Sequence, residues 1–210
     1  MIEQAYTRWS ATYDSDVNRT RDLDQEVTRQ VLRGKHYDSI LELGCGTGKN
    51  TAFLAEIGEQ VTAFDFSEGM LRQARDKLSL ENVTFVRADL TDRWPCEDLS
   101  AGLVVCNLVL EHIADINLIF AEASRAMIEG GTFFIAELHP FRQYSGVKAK
   151  FELEGETTEV EAFIHNLSDY IGAAKENGFT VERLDEWWHA EDEGKPPRIV
   201  SFMLTKPPVI

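Results

Sequence analysis

Short runs of β-branched, aromatic and other apolar residues alternate with segments of helical periodicity from Tyr37 onward. Each apolar run ends in turn-forming or acidic residues, and this order is typical of an α/β protein. Seven strands are predicted, at Ser39–Leu43, Gln60–Asp65, Val83–Arg87, Ala101–Asn107, Thr132–Leu138, Thr180–Glu186 and Ile199–Thr205. Helices are predicted at Asp22–Gly34, Lys49–Ile57, Ser67–Leu78, Asp115–Ile128 and Ser168–Asn177. The pattern therefore indicates one sheet with helices between successive strands.

An unusually long connection follows the fifth predicted strand. About 27 residues, His139–His165, separate this strand from the next helix, whereas ordinary connections have about 4 to 6. Within the connection, Ala149–Leu153 and Glu159–Phe163 alternate in polarity around Gly155-Glu156, which predicts an inserted β-hairpin. Because long connections at the carboxyl ends of strands often form substrate sites or dimer contacts, we expect a lid here.

The composition is that of a single globular domain. Of the 210 residues, 43% are hydrophobic and 27% are charged, which is close to the average for globular chains. A chain of this length buries about 70% of its surface, enough for one sizeable core. We expect one domain over residues 1–210, with residues 1–36 as an N-terminal helical cap and residues 139–165 as the inserted hairpin.

Charge and cysteine content limit the partners and the compartment. The 36 acidic and 21 basic residues give a formal net charge of −15, and such a field repels nucleic acid and anionic lipid surfaces. No apolar run reaches the roughly 18 residues of a membrane span, and the first residues do not form a secretory leader. Three cysteines at unrelated spacings predict free thiols. We expect a cytoplasmic monomer or homodimer that acts on a small, uncharged or cationic molecule.

A glycine-rich segment at residues 44–48 follows the first predicted strand and precedes a helix. Glycines at this point let a ligand contact the backbone at the crevice where α/β sheets bind nucleotides. A P-loop is disfavoured, because Gly44 lies one residue too close to Gly48 and Asn50 replaces the Ser or Thr that binds magnesium. A dinucleotide fingerprint is also disfavoured, because it requires a glycine where Lys49 stands.

A second dehydrogenase-like pattern, Tyr144 and Lys148, matches the Tyr-x-x-x-Lys pair of short-chain dehydrogenases. Gly146 between them would weaken the helix that this pair requires. The spacing in the glycine loop does not fit those enzymes either. An NAD-dependent oxidoreductase is therefore the least favoured of the functions considered.

The tight Gly-x-Gly-x-Gly spacing resembles motif I of class I S-adenosylmethionine-dependent methyltransferases. Three further segments resemble that family in order and spacing, at residues 65–71, 88–90 and 107–113. The tract 6–13 and the Leu-Glu-His-Ile segment are similar to the small-molecule group (methyltransferase type 11) that includes ubiquinone and biotin pathway enzymes. The resemblance implies a Rossmann-like, mostly parallel seven-stranded sheet with its last strand antiparallel and helices on both faces. It also implies S-adenosylmethionine as cofactor, S-adenosylhomocysteine as product, and no metal.

The resemblance also implies roles for individual residues. Asp65 is expected to accept hydrogen bonds from both ribose hydroxyls, with Phe66 against the adenine. Asp89 is expected at the adenine amino group with Leu90 on the ring face, and Glu42 near the amino group of the cofactor. The complete expected cofactor set is Tyr13, Arg21, Glu42, Gly44, Cys45, Gly46, Asp65, Phe66, Met70, Asp89, Leu90, Asn107 and Leu108.

Aromatic residues recur at helical spacing before the core, at Tyr6, Trp9 and Tyr13. They are either an ordinary helix staple or rings that close over a sulfonium cation, which aromatic faces attract. Arg21 nearby is expected to pair with the carboxylate of the cofactor. Both alternatives for the aromatic residues remain open at this point.

Methyl transfer from a sulfonium is an in-line displacement that requires alignment and a dry site more than catalytic groups. A hydroxyl or ammonium acceptor needs a base, and histidine has a suitable pKa. His112, His139 and His165 are the candidates, and His112 is preferred because it lies in a segment that resembles the family. None of the 5 histidines shows metal-ligand spacing. We expect a small-molecule methyltransferase; a non-catalytic S-adenosylmethionine-binding or partner-activating subunit is the alternative.

Overall fold

The structure is a computed structural model that describes residues 6–7, 9–10, 13–14, 17–147, 150–153 and 156–208, with the backbone alone for 150–153 and 156–159. The helices are α1 (Arg19–Leu32), α2 (Thr51–Ile57), α3 (Glu68–Lys77), α4 (Asn117–Ala126), α5 (Pro140–Tyr144) and α6 (Leu167–Glu176). The strands are β1 (Tyr37–Leu43), β2 (Gly58–Asp65), β3 (Val83–Arg87), β4 (Ala101–Asn107), β5 (Met127–Leu138), β6 (Lys150–Leu153), β7 (Glu156–Glu159), β8 (Thr180–Trp187) and β9 (Ile199–Thr205). A 3-10 turn, Leu110–His112, follows β4.

Seven strands form the main sheet in the order β3-β2-β1-β4-β5-β9-β8. The pairs from β3 to β5 are parallel, and β9 is antiparallel to both β5 and β8. The predicted Rossmann-like sheet with an antiparallel last strand is therefore confirmed. The chain builds the sheet outward from β1 in one direction and then returns to β4 on the other side. This reversal of strand order places a ligand crevice between the carboxyl ends of β1 and β4.

Apolar side chains cover both faces of the sheet. Leu23 and Val27 of α1 pack with Leu54 of α2 against one face. Phe120 of α4 and Tyr170 of α6 pack against the other face. Because the central strands are buried on both sides, their sequences are nearly continuous apolar runs rather than alternating ones.

Side-chain caps set the starts of three helices, in agreement with the local sequence. The Oδ1 atom of Asn18 accepts from the backbone N–H groups of Thr20 and Arg21 at the start of α1. Ser67 caps α3 through the N–H of Met70, and Asn166 forms a capping box with Asp169 at α6. Such caps satisfy N–H groups that the first helical turn leaves without partners.

The junction between α4 and β5 differs from the prediction. The helix ends at Ala126 instead of Ile128, and the strand begins at Met127 instead of Thr132. Met127 pairs with Ala101, and the backbones of Gly130 and Gly131 bond with Lys206, which is distant in sequence. These long-range pairings extend the strand through residues whose local sequence favours the end of a helix.

The long connection after β5 also differs in detail from the prediction. It begins with α5, which was not predicted, and continues into β6 and β7, an antiparallel pair in a separate two-stranded sheet. The second strand was expected at Glu159–Phe163 but lies at Glu156–Glu159, because the Phe163 N–H instead donates to the carbonyl of Glu111 at 2.7 Å. Ala149 and Gly155 lie outside the described residues.

Residues 1–5, 8, 11–12 and 15–16 of the predicted N-terminal cap also lie outside the described part of the chain. None of the helices that the structure describes combines the length and the apolar character needed to cross a bilayer.

The aromatic cluster beneath α4 provides a test of the core. Phe120 is fully buried, with its ring centroid 5.4 Å from that of Phe133 and 6.2 Å from that of Phe179. We expect Phe120→Ala to lower the free energy of unfolding by about 3 to 5 kcal/mol, because it leaves a cavity in a packed layer. Leu118→Ala on the exposed side of the same helix should change it by less than about 0.5 kcal/mol. Urea denaturation measures the free energy of unfolding of both variants. Equal decreases in the two would contradict this account of the core.

Candidate active site

A cavity of ≈ 270 Å³ opens at the carboxyl ends of β1, β2 and β4. All the residues expected to contact a cofactor line it, namely Tyr13, Arg21, Glu42, Gly44, Cys45, Gly46, Asp65, Phe66, Met70, Asp89, Leu90, Asn107 and Leu108. They come from α1, three strand ends and the loops that follow them. Their contact with a bound molecule stays a prediction, but the fold brings the whole set to one site.

The glycine loop follows β1 closely and turns back under the cavity. Gly44, Gly46 and Gly48 have φ values of +67°, +54° and +80°, a region that favours glycine. A Cβ atom on Gly44 would lie 2.2 Å from Cγ2 of Val109, whereas one on Gly46 would meet no atom within 4 Å. Gly44 thus permits close packing inside the protein, and Gly46 leaves open space beside its Cα for a ligand.

Asp65 ends β2 with its carboxylate at the cavity. Oδ2 accepts from the N–H of Gly46 at 2.9 Å, and Oδ1 accepts from the N–H of Ser67 at 2.8 Å. Burial raises the pKa of Asp65 from 3.8 to about 6, against the opposing effect of the backbone N–H groups of Ser67, Gly46 and Phe66. A carboxylate offers about four acceptor positions, so capacity remains for the hydroxyl groups of a ligand.

Glu42 is buried at the start of the glycine loop. Its Oε2 atom accepts from the hydroxyl of Thr51 at 2.6 Å. Burial raises the pKa of Glu42 from 4.5 to about 8, and the carboxylates of Asp24 and Asp65 raise it further. Near neutral pH the side chain is therefore largely protonated and able to donate a hydrogen bond as well as accept one.

Asp89 and Leu90 form the opposite end of the cavity. Oδ1 of Asp89 accepts from the N–H of Thr91 at 2.9 Å and from its hydroxyl at 2.7 Å, so Asp89 also shapes its own turn. The side chain of Asp89 is exposed at the rim, whereas Leu90 is buried. Leu90 and Phe66 provide apolar surface on which a planar ring can lie.

The aromatic side chains of Tyr6, Trp9 and Tyr13 form a group of rings in tilted and edge-on contact beside the cavity. The ring centroids of Tyr6 and Trp9 lie 5.7 Å apart, and those of Trp9 and Tyr13 lie 4.7 Å apart. The guanidinium of Arg21 lies 3.9 Å from the centroid of Tyr13, and its Nη1 donates to the carbonyl of that residue at 2.6 Å. The rings therefore serve as a packed staple and also line the site, since Tyr6 and Tyr13 contribute to its wall.

His112 lines the cavity with a defined hydrogen-bond arrangement. Nδ1 lies 2.9 Å from the carbonyl of Glu161, and because a carbonyl only accepts, Nδ1 carries the proton. Nε2 therefore has the lone pair, which accepts from the hydroxyl of Tyr6 at 2.8 Å. Burial raises the pKa of Tyr6, so its hydroxyl keeps this proton.

The structure does not bring His139 and His165 to this cavity, although both were expected near the reactive end. His139 is fully buried, where its Nδ1 caps α5 at the Phe141 N–H and its Nε2 donates to Glu186 at 2.9 Å. His165 donates through Nε2 to the carbonyl of Ile113 at 2.8 Å. The chain turns into α5 directly after His139 and returns from the insertion at His165, and both turns direct the rings into the interior. There each ring links segments of the protein that are distant in sequence.

Several lining residues were not found by sequence reasoning. They are Asp24, Thr47, Lys49, Asn50, Thr91, Val105, Val109 and Ile113, with Leu43 at the strand end. The sequence predicted a helix only from Asp22 onward, and because the helix of the structure begins at Arg19, Asp24 lies three residues after Arg21 on the same face. The others follow the glycine loop or the strand ends directly.

Comparisons with known proteins agree with this geometry. Residues 41–135 match a family model described as a methyltransferase domain. Demethylmenaquinone methyltransferase of Clavibacter sepedonicus is 39% identical over 101 residues, which are 48% of this chain and 41% of that protein. Malonyl-[acyl-carrier protein] O-methyltransferase of Nitrosospira multiformis is 26% identical over 210 residues, which are 88% of this chain and 66% of that protein.

A solved structure, the complex of DhpI with SAH, has the same fold. It superimposes with a TM-score of 0.78 at 22% identity and covers 99% of this chain and 96% of its own. The chain spans from about a third to three quarters of the length of the curated relatives it matches most clearly. Residues 41–135 are therefore a methyltransferase domain, and the fold and the relatives agree with the resemblance of this chain to the class I S-adenosylmethionine-dependent methyltransferases.

Proposed function

We propose that this protein transfers the methyl group of S-adenosylmethionine to a small-molecule acceptor. The observation that carries the proposal is the cavity at the β1–β4 crevice, where the Gly46 N–H holds the carboxylate of Asp65 and open space lies beside the Cα of Gly46. The relatives named for demethylmenaquinone and for the malonyl group of malonyl-[acyl-carrier protein] support an acceptor that is a small organic group.

The residues of the cavity fit the cofactor from one end to the other. Asp65 has acceptor capacity for two ribose hydroxyls, and Phe66 and Leu90 provide apolar faces for the adenine. The glycine loop leaves room for close approach to backbone, and Arg21 provides a cation for the carboxylate of the amino-acid end. When bound, S-adenosylmethionine supplies an electrophilic methyl group on a sulfonium.

A smaller cavity of ≈ 70 Å³ adjoins the first and suits the methyl acceptor. The two share Tyr6, Tyr13, Arg21 and Leu108, and the smaller one is also lined by Glu111 and by Val147 within the insertion. An acceptor held there would lie beneath part of the 139–165 segment. Burial raises the pKa of Glu111, and the neighbouring His112 opposes this shift.

His112 is the residue that we assign to proton removal. Its Nδ1–H is held by the Glu161 carbonyl, which keeps the Nε2 lone pair on the side of Tyr6 and the cavity. A hydroxyl or ammonium group of the acceptor would give its proton to Nε2 by one of two routes. It would displace the Tyr6 hydroxyl and bind Nε2 directly, or it would give its proton to the Tyr6 oxygen while the Tyr6 hydroxyl gives its own proton to Nε2. His139 and His165 have no such opening, because neither ring lines the cavity and each uses Nε2 for a partner elsewhere, Glu186 and the carbonyl of Ile113.

Loss of the Asp65 carboxylate tests cofactor binding. We expect Asp65→Ala to weaken S-adenosylhomocysteine binding by roughly 10- to 100-fold for each hydrogen bond to the charged group that is lost. Asp38→Ala, an exposed aspartate at the other end of β1, is the matched control and should bind as the wild type does. Titration calorimetry measures both, with thermal unfolding to verify that the variants are folded. Wild-type affinity in Asp65→Ala would overturn the assignment.

Replacement of His112 tests proton removal. An acceptor is first identified by incubating metabolite extracts with labelled S-adenosylmethionine. With that acceptor, His112→Gln should lower kcat by about 10² to 10⁴-fold, the usual contribution of a general base, with cofactor affinity intact. The exposed His36→Gln is the control. A loss below about threefold would show that the acceptor arrives deprotonated, and cofactor binding without turnover of any acceptor would favour a non-catalytic binding subunit.

A further inference from the structure

Helix α1 presents two opposite charges to the larger cavity. Arg21 and Asp24 both line it, and both are buried, at 8% and 5% exposure. They are three residues apart, so their side chains leave the helix on one face, with Cβ atoms roughly 5 to 6 Å apart. The stack of Arg21 on the Tyr13 ring fixes the position of the guanidinium. The helix thus sets an anion-binding group beside a cation-binding one.

Asp24 is held in place by uncharged donors. Its Oδ1 accepts from Nδ2 of Asn107 at 2.5 Å, and its Oδ2 accepts from Nδ2 of Asn50 at 2.8 Å. Two of about four acceptor positions on the carboxylate are used, and neither donor carries a charge. In the part of the chain that the structure describes, the amide oxygens of Asn50 and Asn107 are buried without a hydrogen-bond partner. The surroundings of Asp24 therefore hold more acceptors than donors.

Apart from the neighbouring Arg21 on α1, the charges around Asp24 are mostly of the same sign. Lys49 lowers its pKa, but the Nζ atom of Lys49 pairs with Asp22 at 2.5 Å on the outside of the helix. The other titratable groups that sense its charge are Tyr13, Glu42, Cys106 and Glu137. Burial raises the pKa of Asp24 from 3.8 to about 7. A buried carboxyl of this kind gains most from a ligand that brings a positive charge and several N–H donors.

We propose that Asp24 binds the α-ammonium group at the amino-acid end of the cofactor, beside the carboxylate held by Arg21, so that α1 recognises the zwitterion as a unit. This inference rests on the proposed function. It adds a residue of an N-terminal helix to the strand-end residue Glu42, which is expected near the same amino group and already accepts from Thr51. Adenosyl compounds without the amino-acid end would then bind independently of Asp24.

Cofactor affinity should also depend on pH in the neutral range. An ammonium neighbour favours ionised Asp24, so binding at pH 7 releases part of a proton and weakens as the pH falls below about 7. For a single group with this pKa, the affinity falls about tenfold between pH 8 and pH 6. Asp65 and Glu42 also titrate near the site, but both are present in the wild type and in the Asp24 variant. The difference in pH dependence of the affinity between these two proteins therefore gives the contribution of Asp24.

The test is titration calorimetry of Asp24→Asn with two ligands. S-adenosylhomocysteine should bind about 10- to 100-fold more weakly than to the wild type, the range for a lost hydrogen bond to a charged group. 5′-Methylthioadenosine, which lacks both the ammonium and the carboxylate, should bind within about threefold of the wild type. Glu26→Gln removes an equal charge from the exposed face of the same helix and serves as the matched control.

The variant is expected to fold, because the amide of Asn50 or Asn107 can rotate to accept from the new N–H group. Independently of any variant, calorimetry of the wild type in two buffers of different ionisation enthalpy measures the proton released with S-adenosylhomocysteine. Proton release in the wild type that Asp24→Asn abolishes supports the proposal.

Three results would overturn it. They are S-adenosylhomocysteine affinity in Asp24→Asn within twofold of that in Glu26→Gln, an equal loss for both ligands, and no proton release in the wild type. Failure of the wild type to bind S-adenosylhomocysteine at all is a different result, because it removes the proposed function and not only the role of Asp24.

Discussion

The parallel pairing of β1 with β4 at the centre of the sheet is the contact on which the site depends. Leu41 aligns with Val104 and Leu43 with Cys106, so the two strands end side by side. The chain leaves β1 toward β2 and leaves β4 toward β5, and the loops after these strands diverge. The gap between them admits α1 and the N-terminal rings from one side and the glycine loop from the other. The glycine loop and Asn107 reach the cavity from this pair, and Asp65 and Asp89 reach it from the ends of the neighbouring β2 and β3.

Burial of several carboxyl groups around that gap opposes the stability of the fold. Asp65, Asp24 and Glu42 have pKa values raised to about 6, 7 and 8, mainly by loss of water. A carboxyl with a higher pKa in the folded chain stabilises it at low pH, and that contribution is lost as the pH rises through the folded value. Between the ordinary value near 4 and about 8, these groups therefore favour unfolding increasingly. A cationic ligand reverses the effect, which ties stability to cofactor binding.

The three histidines illustrate how one residue type acquires different roles. Each ring has one nitrogen engaged by a backbone group, at Glu161 for His112, Phe141 for His139 and Ile113 for His165. Only His112 has its acceptor nitrogen toward the cavity, where a tyrosine hydroxyl is its partner. His139 binds a carboxylate and His165 binds carbonyls, so both stabilise the connection that follows β5.

Local physics made much of this protein predictable from its sequence. The bounds of β3, β4 and β9, the Ser67 cap, the glycine loop and Asp65 all depend on residues within a few positions of one another. The tertiary structure alone decided the strand at Met127, the start of β7 and the inward turn of His139 and His165. Those features depend on partners such as Lys206, Glu111 and Glu186, which lie far away in sequence. Asp24 lies between these cases: periodicity places it on a face with Arg21, but only the packing of α1 over the β1–β4 crevice turns that face toward the ligand.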